Sequence, residues 1–210
     1  MPLRTYAVRI ARLGAVPKIA VLFAGAEADL VIQPAAKLRL ARLAMALGLH
    51  RREGAVRRRL QELAVVIRPG WKFLKGAEAW EPFYRRVVAE VPDARLNGAE
   101  LQALADGFVI DAVWTVRKIE RGELLAAQRM IQRELAEVNF RLLHEWRLRR
   151  GERSFPEARR IERIAAPAEL ASVTVHAALA ASALRAAVEE SSATLRGLMG
   201  ALEADWRWPS

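Results

Sequence analysis

The apolar residues of this chain change their spacing at Pro34, and this change constrains the fold more than any other feature. Before Pro34 they follow a period of two, which is typical of half-buried strands. After Pro34 they follow a period of about 3.6, which is typical of helices with one buried face. The spacing predicts an α+β, mostly α, fold in which a short antiparallel sheet precedes an antiparallel helical bundle.

Three short strands are predicted before Pro34. The segments 5–12, 18–23 and 29–32 are rich in apolar and β-branched residues, and glycines lie between them. Pro34 ends the third strand, because proline has no N–H group to donate to a central ladder. Three strands of this length cannot build a sheet with both faces covered, so we expect them to form the edge of a larger sheet.

The rest of the chain predicts helices that are limited by glycine, proline or capping pairs. Asn97 and Glu100 have the spacing of a capping box and begin a long helix. Gly122 predicts a tight turn before the clearest helical stripe of the chain, which includes Ile131, Leu135 and Leu142. The predicted domains are a strand region at 1–34, a helical connection at 35–96 and a C-terminal helical bundle at 97–210.

Composition excludes several classes of protein. The 210 residues are 53% hydrophobic and 28% charged, which is typical of globular chains rather than disordered ones. No cysteine is present, so neither a disulfide framework nor a thiolate metal site can form. No apolar run approaches the ~20 residues that cross a bilayer, and no signal-peptide pattern follows Met1. We expect a cytoplasmic protein without a membrane partner.

The net charge of +10 would attract phosphates, nucleic acid or an anionic membrane surface. Nearly all the basic residues are arginines, and the chain is also rich in alanine, a combination that a GC-rich coding sequence produces without any ligand. The basic residues also alternate with Asp and Glu along the predicted helices, as they do on solvated faces. Nucleic acid is therefore not an expected partner.

Residues that carry chemistry are sparse. The histidines lie far apart, and the chain has neither a phosphate-binding glycine loop nor a Gly-x-Ser-x-Gly motif. Glu27 and Asp29 are the most suggestive pair, because residues two apart on a strand point to the same face. Carboxylates at the mouth of a buried strand can hold Mg²⁺ against a nucleoside triphosphate. A turn with two solvated acids is the alternative interpretation, and the spacing leaves both open.

Two segments of the chain resemble bacterial nucleotidyltransferases, including the aminoglycoside adenylyltransferases. The run VLFAGAEADLVIQP at 21–34 resembles the strand, turn and strand that carry the third carboxylate of that family. The run DAVWTVRKIERGELLAAQ at 111–128 is similar to the family's accessory helical domain. The resemblance covers residues 5 to 165 and does not extend over 166–210.

The resemblance implies the transfer of AMP from ATP, with Mg²⁺, to a hydroxyl of a small molecule such as an aminoglycoside. Asp29 would then be the catalytic carboxylate, and Asp29 and Glu27 would hold Mg²⁺. Lys118 and Lys72 would bind the nucleotide, since lysines neutralise triphosphate charge. For Lys118 the alternative is a solvated helix residue, and for Lys72 it is part of an aromatic patch that covers the bundle.

The same resemblance implies that Glu120 and Glu123 face a cationic acceptor. Charges at the end of a helix are the alternative interpretation of these two residues. The expected partners are accordingly a nucleotide and a small-molecule acceptor.

The chain also departs from the family pattern. Family members carry Gly-Ser and then Asp-x-Asp before the third carboxylate, and neither motif occurs in this sequence. Without these metal ligands we expect no productive binding of Mg·ATP, and we interpret the chain as a truncated, mis-started or degenerate homologue without activity. The alternative hypothesis is a non-catalytic helical interaction module, which pairs through an exposed strand edge with another chain or with a second copy.

Overall fold

The computed structural model describes residues 5–13, 16–24, 26–52, 54–155, 158, 160–203 and 205–208. Their fold is α+β and mostly α, with a short antiparallel sheet followed by helices, as the apolar spacing predicted. The chain divides into two compact units, unit 1 at residues 1–93 and unit 2 at residues 94–210. The three-part division predicted from the sequence stays a prediction. Within the described part of the chain, no helix is long and apolar enough to cross a membrane.

The sheet of unit 1 has the strand order β1-β2-β3, with β1 at Thr5–Leu13, β2 at Val16–Phe23 and β3 at Ala26–Val31. Both pairs are antiparallel, and the register of β1 on β2 is irregular only between residues 5 and 7. Because side chains alternate along a strand, the register gives the sheet one apolar face. The described residues that share this face are Val8, Ile10, Ile19, Val21, Ala28 and Leu30.

The helices of unit 1 build a separate small core. They are α1 at Ala35–Ala46, α2 at Ala55–Ile67 and α3 at Ala77–Glu90, with a short 3₁₀ turn at Leu49–Arg51. Their buried side chains form one cluster, to which no described residue of the sheet belongs. This core is therefore built mainly by α2 and α3, and no described side chain of the sheet belongs to it.

Unit 2 is a helical bundle with an extensive core. Its helices are α4 at Gly98–Glu120, α5 at Leu124–Met130, α6 at Ala136–Arg149, α7 at Pro167–Val173 and α8 at Ala181–Leu202. The largest buried side chains come from α4, from the α5–α6 segment and from α8, and include those of Phe108, Ile131, Leu142 and Leu195.

The predicted boundaries of the first helix of the bundle are confirmed. The Asn97 side chain accepts a hydrogen bond from the Glu100 N–H, and the Glu100 carboxylate accepts one from the Asn97 N–H, each 2.9 Å long. At the other end of α4, Gly122 has a φ of 76°, which glycine adopts at no steric cost. The chain reverses there into α5, at the turn that the sequence predicted.

A π-helical turn at Ile131–Leu135 joins α5 to α6 and was not predicted. The buried residues Ala127, Ile131, Leu135 and Asn139 follow one another at intervals of four. In an α-helix of 3.6 residues per turn, an interval of four moves each side chain further around the axis. A wider turn compensates for this drift and keeps all four on the buried face.

A buried carboxylate fixes the start of α4 to α6. Glu145 is buried, and its side chain accepts hydrogen bonds from Arg95 Nε at 3.1 Å, Arg149 Nε at 2.9 Å and the Leu96 N–H at 3.0 Å. A buried charge is tolerated only when it is paired and hydrogen-bonded, and these three donors satisfy that condition. The segment that precedes α4 is thereby held against the last turns of α6.

Candidate functional site

Glu27 and Asp29, the predicted metal-binding carboxylates, lie on the edge strand β3. Their backbone partners on β2 are Leu22 and Ala20, so β3 is regular between them. Glu27 is exposed and lines an open concavity of about 400 Å³ on the polar face of the sheet, beside Arg9. The side chain of Asp29 lies outside the described residues, and the catalytic role predicted for it stays a prediction.

The magnesium site predicted at Glu27 and Asp29 stays a prediction, because the side chain of Asp29 is not among the described ones. Mg²⁺ in a protein is held by oxygen ligands in near-octahedral geometry, commonly carboxylates. Among the described side chains, no group of three or more His, Asp or Glu residues is placed to hold a metal ion. No catalytic step through a bound metal can therefore be derived from these residues.

Lys72 lies in the loop between α2 and α3, within a segment whose side chains alternate between packed and exposed. Trp71 and Phe73 pack against the Tyr84 ring, with centroid distances of 6.0 Å and 5.0 Å. Lys72 and Lys75 are exposed, as is the residue between Phe73 and Lys75. Aromatic contacts thus flank Lys72 within unit 1, and the patch that would cover the bundle stays a prediction.

Lys118 and Glu123, to which the sequence gave separate roles, are paired with each other in unit 2. The Lys118 ammonium lies 3.2 Å from one carboxylate oxygen of Glu123, and Arg121 Nε donates to the other oxygen at 2.6 Å. These hydrogen bonds, that of Arg121 above all, lower the pKa of Glu123 to about 2. The charge of Glu123 is therefore already matched by two cations of the chain itself.

Glu120 also faces a cation of the chain. One of its carboxylate oxygens lies 3.8 Å from a guanidinium nitrogen of Arg185 on α8, and both side chains are exposed. A pair of this kind contributes little, ~0–1 kcal/mol, because solvent screens it. Glu120 could exchange Arg185 for a cationic ligand at little cost, whereas Glu123 would have to give up two closer partners.

A groove in unit 2 brings Lys118 together with two arginines that the sequence did not single out. It has a volume of about 240 Å³, and its lining includes Lys118, Arg129, Met130, Arg133 and Glu134. Arg129 and Arg133 are four residues apart, so they are neighbours on the helix surface, where like charges repel each other. An anion bound in the groove would offset that repulsion. Arginines at i and i+4 beside a candidate lysine are a signal that sequence reasoning could have used.

The acidic side of this region contains Asp111 and Glu134. Burial raises the pKa of Asp111, and the nearby negative charge of Glu134 raises it further. Glu134 belongs to the π-helical turn, a feature that is frequent at functional sites. The groove is therefore lined by three cationic side chains and by Glu134, whose negative charge acts on Asp111. This arrangement suits an anionic ligand more than a cationic one.

His144 is half-buried and has a hydroxyl partner. Its Nδ1 lies 2.7 Å from the Ser154 hydroxyl oxygen, its ring stacks on Phe140, and burial lowers its pKa. Nucleophilic catalysis by serine requires a third group that orients the histidine. Among the described residues no carboxylate is hydrogen-bonded to this ring, so the pair is interpreted as a structural contact.

Comparison with known proteins identified no relatives: no family model, no curated protein and no solved structure matches this chain. The similarity to nucleotidyltransferases rests on the two sequence segments alone and stays a prediction.

Proposed function

We propose that this chain is an interaction module whose N-terminal sheet is completed by another polypeptide. The observation that carries the proposal is the bare apolar face of the sheet. On this face Val8 is 56% exposed, Ile10 78% and Leu30 51%, so an apolar side chain of each edge strand remains in water. Burial of apolar surface stabilises by about 25 cal/mol per Å², and a covering layer would recover this free energy.

The edges of the sheet offer a place for that polypeptide to attach. β1 and β3 are both edge strands, and β1 is nine residues long. An edge strand presents unpaired N–H and C=O groups that template the addition of a further strand. A strand paired with β1 would extend the sheet, and its apolar side chains would lie on the same face, in lateral contact with Val8 and Ile10.

Charge favours an acidic polypeptide over a second copy. Residues 1–93 contain 17 basic and 8 acidic residues, which gives unit 1 a net charge of +9. Two copies joined through their sheets would bring two such charges together, and this repulsion opposes association. A strand rich in Asp and Glu on its polar face would be attracted instead.

Peptide binding to the full chain tests this function. The probe is a labelled peptide as long as β1 that alternates valine and glutamate, and fluorescence anisotropy measures its affinity. We expect binding that is lost in the Val8→Glu/Ile10→Glu double variant and retained in Leu74→Glu, an exposed leucine of the same unit outside the sheet. Absence of binding by the wild type, or equal binding by the double variant, would refute the acidic partner. A concentration-dependent dimer abolished by Ile10→Glu would assign the covering layer to a second copy.

We infer a second candidate function, that of a nucleotidyltransferase-like protein that is inactive by itself. Its ancestral reaction would be the transfer of AMP from ATP to a hydroxyl of a small molecule such as an aminoglycoside. The groove lined by Lys118, Arg129 and Arg133 favours this candidate, because three cationic side chains suit a triphosphate. These side chains would neutralise and orient the phosphates, and among the described side chains no group of three or more His, Asp or Glu residues accompanies them. We propose the cytoplasm as the compartment of both functions, as the sequence predicted.

Isothermal titration with a non-hydrolysable ATP analogue tests the second candidate. We expect weak binding that does not require Mg²⁺ and that is lost in Lys118→Ala and Arg129→Ala. Arg117→Ala is the matched control, since Arg117 is exposed on the same helix as Lys118 but does not line the groove. A folded sample that binds no analogue would exclude this candidate. Binding that needs both Mg²⁺ and Asp29 would overturn the proposed inactivity and restore the predicted metal site.

A further inference from the structure

The loop that precedes α3 presents one leucine almost entirely to solvent. Leu74 is 94% exposed, and the exposed lysines Lys72 and Lys75 lie on either side of it in sequence. The loop is held in place because Trp71 and Phe73 pack against Tyr84, as described above. Single exposed leucines are common on protein surfaces. What distinguishes this one is a loop that is fixed by two aromatic contacts and that also carries two exposed lysines.

A second set of exposed leucines belongs to α1. Leu40, Leu43 and Leu47 are each more than half exposed, and their spacing of three and four residues places them on one face of the helix. Arg42 on the same helix donates a hydrogen bond to the backbone carbonyl of Ala79, at 3.1 Å. This bond joins α1 to the first turn of α3, into which the loop leads directly.

The charge excess of the protein lies in the same unit as these leucines. The two units contain 17 basic residues each, but unit 1 has 8 acidic residues and unit 2 has 16. The net charges are therefore +9 for unit 1 and +1 for unit 2. Exposed apolar side chains beside an excess of positive charge are typical of proteins that bind the interface of an anionic bilayer.

We propose that unit 1 binds the surface of an anionic lipid bilayer, with Leu74 inserted below the headgroups and Lys72 and Lys75 against them. A bilayer accepts a projecting side chain without a preformed groove, which a protein partner would have to supply. Nucleic acid fits less well, because a leucine makes no contact with phosphates. The rings of Trp71 and Phe73, which could otherwise stack on bases, are packed on Tyr84. The loop that carries Leu74 lies outside the sheet, so this proposal does not depend on the function proposed for the sheet.

Sedimentation of the full chain with lipid vesicles tests the proposal. The probes are vesicles of phosphatidylcholine alone and of phosphatidylcholine with about 30 mol% phosphatidylserine, the kind of anionic lipid that attracts clustered basic residues. We expect binding to the mixed vesicles only. Leu74→Glu should weaken it by about tenfold or more, the effect of withdrawing one buried leucine. Lys72→Ala and Lys75→Ala should each weaken it by about fivefold.

A matched control and a competitor complete the design. Leu179→Glu changes an exposed leucine in a loop of unit 2 and should leave vesicle binding unchanged. Circular dichroism checks that every variant is folded. The proposal fails if wild type ignores the mixed vesicles, if it binds neutral vesicles equally well, or if Leu74→Glu binds as wild type does. It fails also if duplex DNA binds the chain while the mixed vesicles do not, since unit 1 would then be a nucleic-acid surface.

Discussion

The two units differ in how many large apolar side chains they leave exposed and in how far acidic residues balance their basic residues. Of the 17 large hydrophobic side chains exposed among the described residues, 12 belong to unit 1 and five to the longer unit 2. The basic residues divide equally, yet acidic residues balance them only in unit 2. Unit 2 is therefore close to self-sufficient in both apolar burial and charge. Unit 1 has both exposed apolar side chains and an excess of positive charge, and it therefore offers surfaces that suit macromolecular partners.

The buried charges of unit 2 differ from the exposed carboxylates in how they are hydrogen-bonded. In unit 2, Glu145 is enclosed by two guanidinium groups and a backbone N–H, and the buried Arg147 donates to the backbone carbonyls of Arg153 and Ile164. The carboxylates predicted for chemistry lie elsewhere: Glu27 on the sheet is exposed, and Glu123 at the helix turn is paired with neighbouring cations. The interior of unit 2 thus uses charge to fix its fold, and the sites available to ligands lie at the surface.

The largest expected effect on the free energy of unfolding comes from Ile131→Ala, and the same substitution at Ile10 is its comparison. Ile131→Ala removes a fully buried side chain from the bundle core and should lower the free energy of unfolding by about 2–5 kcal/mol. Ile10→Ala removes a side chain that is mostly in water and should change it by less than about 0.5 kcal/mol. Urea denaturation followed by circular dichroism measures both. A large loss in Ile10→Ala would mean that the sheet face is already covered in the isolated chain, and the comparison between the units would collapse.

Removal of the buried carboxylate should have the next largest effect. Glu145→Ala leaves the donors on Arg95, Arg149 and Leu96 without their acceptor and should cost about 2–3 kcal/mol of unfolding free energy. Glu137→Ala, an exposed change on the same helix, is the matched control and should stay within about 0.5 kcal/mol. Equal effects of the two changes would show that Glu145 does not hold the start of α4.

Much of the fold followed from the spacing of apolar residues. The change at Pro34, the capping box at Asn97 and the turn at Gly122 each depend on a few neighbouring residues, and local rules describe them well. The π-helical turn at Ile131–Leu135 was not predicted, because its cause is the interval of four between buried residues that only the packed bundle defines. The length of the three strands predicted that both faces of the sheet could not be covered, but a period of two does not show how far each apolar side chain is exposed.

The sequence predicted individual residues of the candidate site but not the contacts that these residues make. The resemblance to nucleotidyltransferases assigned Glu120 and Glu123 to a cationic acceptor, whereas their pairing with Arg185 and Arg121 becomes visible only in three dimensions. Sequence reasoning also predicted no membrane partner, because no segment is long enough to span a bilayer and the basic residues alternate with Asp and Glu along the predicted helices. Exposure of a single leucine such as Leu74 has no signature in the sequence.

A smaller effect is expected in the pH dependence of the free energy of unfolding, and it arises from His144 in unit 2. Burial lowers the pKa of His144 below 6.5, while the charges of Glu145 and Arg95 shift it less and in opposite directions. The unfolded chain therefore takes up a proton below about pH 6.5 before the folded chain does, and the folded state loses stability as pH falls from there to the folded pKa. His144→Asn should flatten this part of the curve. Urea denaturation between pH 7 and pH 5 measures it, and an unchanged slope in the variant would assign the dependence to another group.

The smallest effect on stability, and the most direct reading of the candidate site, is the titration of Glu123. The hydrogen bonds from Arg121 and Lys118 lower its pKa to about 2, so the stability it contributes is present above about pH 4.5 and lost as pH falls towards 2. Solvent screens this exposed carboxylate, so carboxyl NMR is a better probe than denaturation. Arg121→Ala should raise the pKa of Glu123 more than Lys118→Ala does, because the Arg121 hydrogen bond is the larger cause. A wild-type Glu123 that titrates near 4.5 would mean that these pairs do not form in solution. Glu123 would then be available to the cationic acceptor that the sequence predicted, and Lys118 would line the groove without a competing carboxylate.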